Sequence, residues 1–155
     1  MDPWTLCPEF LSSQTRLLLA SYHRWTGRDL IRGVVDPVEQ ARLLWEAPFV
    51  VVSGGDEAEQ VLNYGNAAAL ALWETDWATL TRMPSRQTAE PVHQKEREVF
   101  LQRVREFGYV DDYSGVRISA KGRRFRIEQA VVWNVVGDDG VYLGQAATFS
   151  RWTPI

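Results

Sequence analysis

The sequence predicts an α+β protein built on a five-stranded antiparallel sheet, with helices packed on one face and a helical extension at the N-terminus. Three observations predict this class. Apolar residues recur at helical spacing in residues 8–46 and again after Pro91. Two short β-rich segments, 49–53 and 60–64, precede a group of short helices. Beyond Tyr109, three further segments have a β pattern. An order of β, β, helices, β, β, β favours one sheet covered by a helical layer.

The first elements are two helices. Residues 8–22 have apolar residues at helical spacing, and Gly27 follows as a stop signal. Asp36-Pro37 is typical of a capped helix start, and this helix ends before Pro48. Residues 1–46 are therefore expected to form the helical extension of a single domain that spans residues 1–155.

The middle of the chain begins with the two predicted strands. The first is followed by the turn Gly54-Gly55-Asp56, and Gly65 ends the second. The side chain of Asn66 is expected to cap the next helix, which covers residues 67–74. Short helical turns are expected on both sides of Pro84. A longer helix then follows Pro91 and ends at Gly108; its predicted apolar stripe is Val92, Val99, Phe100, Val104 and Phe107.

The last third is predicted to be β. The turn Lys121-Gly122 and the hairpin signal Asp138-Asp139-Gly140 separate three strands, the last of which covers residues 141–152. Alternation predicts that one face of the middle strand carries every second residue. This inward set consists of Phe125, Ile127, Gln129, Val131, Trp133 and Val135.

Composition narrows the function classes. The 155 residues are 45% hydrophobic and 24% charged, which is typical of a globular domain. A net charge of -3 argues against nucleic-acid binding, because the basic stretch from Lys121 to Arg126 is soon interrupted by Glu128. A single cysteine, an N-terminus unlike a signal peptide and the lack of an apolar run of about 20 residues predict a cytoplasmic protein without a membrane partner.

Several blocks of the sequence resemble a known family. They are residues 47–53, 63–70 with Trp73, 84–91, 108–109, 112–119, 123–125, 130–134 and 144–147. The order of elements resembles the PAS domain. Within that group the chain is similar to the MEKHLA family, a PAS-related domain found alone in bacteria and algae and at the C-terminus of plant homeodomain–leucine zipper regulators. The resemblance covers about residues 14–152. It implies a PAS-like fold and leaves the function open.

Catalytic and metal motifs are weak. Cys7, His23 and His93 are too far apart in the sequence to form a metal-ligand cluster. His93 lies among charged residues that are typical of a solvated helix face. The resemblance to light-sensing PAS domains implies a cysteine in the segment 85–91, which has none, so a flavin–cysteine adduct is not expected. A haem ligand belongs on the helix that His93 begins, and haem is left open.

The PAS resemblance implies a ligand cavity between the sheet and the central helices. Gln129 is an amide in a predicted apolar set, and an unpaired buried amide costs about 1–3 kcal/mol. It therefore either bonds a protein group or faces a ligand. The candidate pocket residues are Phe49, Tyr64, Trp73, Gln129 and Trp133.

Three functions remain open. The preferred one is a sensory or signalling module with an aromatic-lined cavity for an unknown small molecule, which is not an enzyme. The alternative is an interaction module that forms a homodimer through its leucine-rich first helix. The last is a small enzyme with a cone-like pocket that recruits Asp76, Asp112 and Glu128. The seven tryptophans do not decide between them, because tryptophan fills a core as readily as it lines a cavity.

Overall fold

A computed structural model describes residues 2–155 of the chain. Six α-helices, one 3-10 helix and six strands are found in this part. The helices are α1 Pro3–Leu6, α2 Pro8–Thr26, α3 Pro37–Glu46, α4 Ala67–Trp73, α5 Trp77–Leu80 and α6 Pro91–Phe107, with a 3-10 helix at Ser85–Thr88. The strands are β1 Val50–Gly54, β2 Leu62–Gly65, β3 Tyr109–Ile118, β4 Arg124–Val136, β5 Tyr142–Phe149 and β6 Arg151–Pro154.

The strands form one antiparallel sheet in the order β2-β1-β5-β4-β3, and β6 pairs with β4. Strands β1 and β5 lie side by side at the centre of the sheet, with Val50 opposite Phe149 and Val52 opposite Ala147. The predicted antiparallel sheet is therefore confirmed. Its centre joins segments that are far apart in the chain.

The predicted helix starts are also confirmed. Asp36 accepts a hydrogen bond from the Glu39 backbone N–H at the start of α3, at 3.0 Å. Asn66 accepts one from the Ala69 N–H in the first turn of α4, at 3.1 Å. The Asn66 side chain is fully buried and makes three more hydrogen bonds: it accepts from the Val51 N–H and donates to the Leu44 and Phe49 carbonyls. This amide therefore fastens α3, β1 and α4 together.

The two faces of the sheet are covered by different parts of the chain. Helix α2 lies on the outer face, where Gln14 donates a hydrogen bond to the Ser53 hydroxyl and Tyr22 packs edge-on against Trp133. Helices α4 and α6 lie on the inner face. The N-terminal extension thus covers the sheet of its own chain.

The predicted alternation along β4 is wrong beyond Ile127. Tyr113 lies opposite Ala130 and Gly115 lies opposite Ile127, so Glu128 and Gln129 together face a single residue of β3. Gln129 has φ of 50° and is exposed. This β-bulge shifts the alternation by one residue. Phe125 and Ile127 face inward, as do Ala130 and Val132, whereas Val131, Trp133 and Val135 face outward.

The last predicted strand is interrupted. Ser150 separates β5 from β6 at the level of the bulge in β4, since Val131 pairs with Thr148 and Glu128 pairs with Arg151. β5 lies between β1 and β4, whereas β6 pairs with β4. A deformation in one strand of an antiparallel pair disturbs its partner, and this accounts for the break.

Candidate functional site beneath helix α6

A cavity of about 70 Å³ lies between the inner face of the sheet and helix α6. Its floor is a row of three residues on neighbouring strands: Val52 lies opposite Ala147, and Ala147 lies opposite Val132. Val52 and Ala147 are on the two central strands, yet both remain partly exposed. The middle of the inner face is therefore not filled by the helices above it.

The walls of the cavity are mostly apolar. Trp73 comes from α4 and packs edge-on against Phe125 and Phe149. On the other side, the rings of Phe100 and Tyr113 stack with their centroids 3.8 Å apart. The remaining lining residues are Leu62, Thr88, Arg97, Leu101, Arg117, Ile127 and Phe149.

Two buried arginines interrupt this apolar lining. Arg97, on α6, is 9% exposed and forms no hydrogen bond or ion pair with any other residue in the range 2–155. Arg117, on β3, is 7% exposed and donates to the Tyr113 hydroxyl at 3.0 Å and to the Val116 carbonyl. Burial, with a smaller contribution from the charge of Arg117, lowers the pKa of Arg97 to about 10. The Arg97 guanidinium therefore remains charged at neutral pH.

Helix α6 is held above the sheet at its C-terminal half. Asn134 donates to the Val104 and Arg105 carbonyls, and Gln145 donates to the Leu101 carbonyl at 2.9 Å. These buried amides satisfy carbonyls near the end of the helix. Gly108 then ends α6 with φ of 103°, at a place where a Cβ atom would lie 2.6 Å from the Trp25 ring. The half of α6 that carries Arg97 has no comparable amide anchor on the sheet among residues 2–155.

Arg97 also borders two other spaces. A second hollow, of about 60 Å³, shares Arg97, Leu101 and the floor residues with the cavity and adds Gln145. A wider surface groove, of about 450 Å³, runs between α6 and the loop 55–60. Arg97 lines all three, so it stands between the groove and the buried cavity.

The structure brings one of the five predicted pocket residues to the cavity. Trp73 lines it. Tyr64 and Trp133 face the outer side of the sheet in a cluster with Trp77, and Phe49 packs against that cluster. Gln129 is exposed at the bulge. The reason for the difference is the shifted register of β4, together with the position of Tyr64, which lies opposite Ser53 on the outward-facing side.

Sequence reasoning found only part of the inward face of α6, because Phe100 and Val104 of the predicted stripe face the sheet but Arg97 and Leu101 were not in the stripe. Of its predicted stripe, Val92, Val99 and Phe107 are exposed, at 79%, 58% and 72%. The inward side carries Arg97 and Val104, which are buried, and Leu101, which is partly exposed. Their spacing of four and three residues is as regular as that of the predicted stripe. An arginine at the first position hides the signal, because a charged residue is normally assigned to the solvent.

With this geometry known, the relationship to other proteins becomes clear. The family model of the MEKHLA domain matches residues 12–154. The chain belongs to the MEKHLA family. It is 27% identical over 139 residues to the homeobox-leucine zipper protein HOX9 of Oryza sativa, a match that covers 89% of this chain and 16% of the relative. For HOX10 of Oryza sativa the identity is 25%, and the match covers 89% and 17%. The chain thus spans about a sixth of the length of these relatives.

Solved structures share the fold of this MEKHLA domain. The PAS domain of a Colwellia psychrerythraea protein has a TM-score of 0.61 at 12% identity, with 76% of this chain and 94% of the other covered. An RNA-binding Light-Oxygen-Voltage receptor has a TM-score of 0.65 at 17% identity, covering 80% and 36%. The light-state dimer of the fungal photoreceptor Vivid has 0.58 at 12%, covering 84% and 88%. The predicted PAS-like fold is confirmed.

The cavity of this MEKHLA domain does not fit a flavin. Its volume of about 70 Å³ is far below the ~300 Å³ at which pockets for larger organic ligands begin. The segment 85–91 has no cysteine, and Cys7 packs against the outer-face cluster. A haem would not fit either, and His93 is not among the residues of α6 that line the cavity, which are Arg97, Phe100 and Leu101.

The other candidate chemical groups lie away from the cavity. His23 contacts Asp29 at 2.9 Å on the protein surface. Asp76 caps α5, and the hydrogen bond from the Thr79 N–H lowers its pKa. Neither Asp112 nor Glu128 lines the cavity. Within residues 2–155 no group of three or more His, Cys, Asp or Glu side chains is placed to hold a metal ion, and no helix is long and apolar enough to cross a bilayer.

Proposed function

We propose that this MEKHLA domain is a sensory module that binds a small molecule in the cavity beneath α6. One observation carries the proposal: Val52 and Ala147 remain partly exposed at the centre of the sheet, under a helix. Protein interiors are close-packed, and the middle of a sheet is where packing is normally most complete. A lined, solvent-connected hollow at that place supports a binding role.

The lining favours binding over catalysis. None of the residues that surround the cavity is Asp, Glu, His or Cys, the side chains that most often transfer protons or act as nucleophiles. We therefore propose a module without enzymatic activity. We also propose that residues 1–155 act as one domain, since α2 in the extension 1–46 packs on the sheet that forms the cavity.

The signal would be carried by α6. Its C-terminal half is held by Asn134 and Gln145, whereas Arg97 in the other half lines the cavity. A ligand that contacts Arg97 would fix the N-terminal half of the helix relative to the sheet. The exposed residues Val92 and Val99 on the outer side of that half could then meet a downstream partner.

Native mass spectrometry of the freshly purified chain tests the proposal. A mass above that of the chain, lost on denaturation, is the expected result. Ala147→Leu should fill the floor of the cavity and abolish the bound mass. Ala71→Leu, at an exposed position of α4, is the matched control and should keep it. An unchanged bound mass in Ala147→Leu would show that the ligand binds elsewhere.

A further inference from the structure

We propose that the ligand of the cavity is a small organic carboxylate with a short apolar tail, held by Arg97 and Arg117. This inference rests on the proposed function and specifies its ligand class. It is carried by a buried guanidinium that lines the cavity and forms no hydrogen bond or ion pair among residues 2–155.

Arg97 carries a buried charge that forms no ion pair with another residue in the range 2–155. A charge that is removed from water normally gains a partner, because an unpaired buried charge is strongly unfavourable. Arg97 is 9% exposed and has no hydrogen-bond acceptor among residues 2–155. Burial is the main cause of the lowered pKa of Arg97, and the nearby Glu98 carboxylate offsets it only in part. An anion in the cavity would supply the missing partner.

A second buried positive charge lies beside the same cavity. Arg117 lines the same cavity and also has no carboxylate partner. Other arginines form ion pairs at the surface, such as Arg16 with Asp138 and Arg28 with Asp111. Two guanidinium groups beside one cavity repel each other until an anion is present. The carboxylates that line the groove beside Arg97, including Glu59 and Glu98, lie outside the cavity lining, and Glu59 pairs with Arg86.

The size and polarity of the cavity limit the class of ligand that it can hold. A volume of about 70 Å³ is far below the ~300 Å³ at which pockets for drug-sized ligands begin, so it suits a ligand of a few non-hydrogen atoms. Apart from Thr88, the two arginines and the Trp73 and Tyr113 side chains, the lining is purely hydrocarbon. A carboxylate matches the planar fork of a guanidinium, and its alkyl tail can rest on Val52, Val132 and Ala147. Inorganic phosphate would bury its remaining oxygens against these apolar side chains.

The test compares three probes on the full chain at equal ionic strength: butyrate, its neutral analogue butyramide and inorganic phosphate. Butyrate is expected to raise the melting temperature in a concentration-dependent way, because it binds the folded state. Butyramide and phosphate are expected to leave it unchanged. Calorimetric titration with butyrate then gives the affinity.

Variants on α6 locate the site. Arg97→Met should weaken butyrate binding by about 10- to 100-fold, the range expected for a lost charge-assisted pair. Arg97→Lys keeps the charge without the fork and should weaken it about 10-fold. Arg103→Met removes an arginine from the exposed side of the same helix and is the matched control with unchanged binding. Circular dichroism checks the fold, and Arg97→Lys carries the test if Arg97→Met does not fold.

The outcomes separate this inference from the proposed function. Equal shifts with butyramide would overturn the requirement for an anion, and equal shifts with phosphate would overturn the carboxylate. An uncharged bound molecule in native mass spectrometry would overturn the ligand class and leave the sensory proposal standing. Neither a bound mass nor a shift with any probe would overturn both.

Discussion

The two faces of the sheet are built on opposite principles. The outer face is closed by edge-on aromatic contacts, among them Tyr22 with Trp133 at 5.1 Å and Tyr64 with Trp77 at 5.9 Å between ring centroids. The inner face is apolar at one end, around Trp73 and Phe149, but hollow at its centre and lined by Arg97. The richest aromatic cluster is therefore structural, and the candidate site lies where packing is incomplete.

The largest expected effect is a difference in stability between substitutions at two neighbouring residues of β4. Trp133→Ala should lower the free energy of unfolding by about 3–5 kcal/mol, because it empties the fully buried centre of the outer face. Val132→Ala should cost only about 1–2 kcal/mol, because its side chain already borders a cavity. Urea denaturation measures both. Equal losses would mean that the two faces do not differ in packing.

A second test addresses the residue that joins the faces. Asn66→Ala should destabilise the protein by about 2–4 kcal/mol, since buried backbone groups of α3, β1 and α4 lose their partners. Asp76→Ala removes an exposed cap from α5 and should lower the free energy of unfolding by less than Asn66→Ala does. The same denaturation experiment compares them. A smaller loss for Asn66→Ala than for Asp76→Ala would contradict the assigned role of the amide.

A third test concerns a buried residue whose substitution should stabilise the protein, whereas most core substitutions destabilise it. In unliganded protein, Arg97→Met should raise the free energy of unfolding by about 1–2 kcal/mol, because an apolar chain replaces a buried charge without a partner. Arg103→Met, on the exposed side of α6, should stay within about 0.5 kcal/mol of the parent. A marked loss of stability in ligand-free Arg97→Met would show that the arginine contributes to the fold itself.

The smallest effect concerns pH and the outer face. Burial raises the pKa of the Tyr64 phenol, whereas an unfolded tyrosine titrates near 10. Above pH 10 the unfolded chain loses this proton first, so Tyr64 contributes a loss of stability as pH rises. Tyr64→Phe should reduce that alkaline loss. At neutral pH it should change stability by less than about 1 kcal/mol, because the hydroxyl has no partner among residues 2–155.

Parallel urea titrations of wild type and Tyr64→Phe at pH 8 and above pH 10 measure this difference. The two proteins should diverge only in the alkaline series. An identical alkaline slope in both would mean that the phenol ionises as easily in the folded protein as in the unfolded one.

The sequence by itself determined the order of elements and the helix starts at Asp36 and Asn66. These features depend on local signals: caps, glycine stops and β-rich runs. Short blocks of the sequence also resemble the MEKHLA family, whose model matches residues 12–154.

Only the tertiary structure decided which side chains reach the cavity. From Ala130 to Val136 both faces of β4 are largely buried, so alternation carries no information there and the bulge at Gln129 is invisible in the sequence. Helix α6 has two possible apolar stripes, and the choice between them depends on where the sheet lies. The sequence alone does not show that Arg97 is buried, because burial depends on the packing of the whole chain. A charged side chain without a partner points to a ligand only when it is buried.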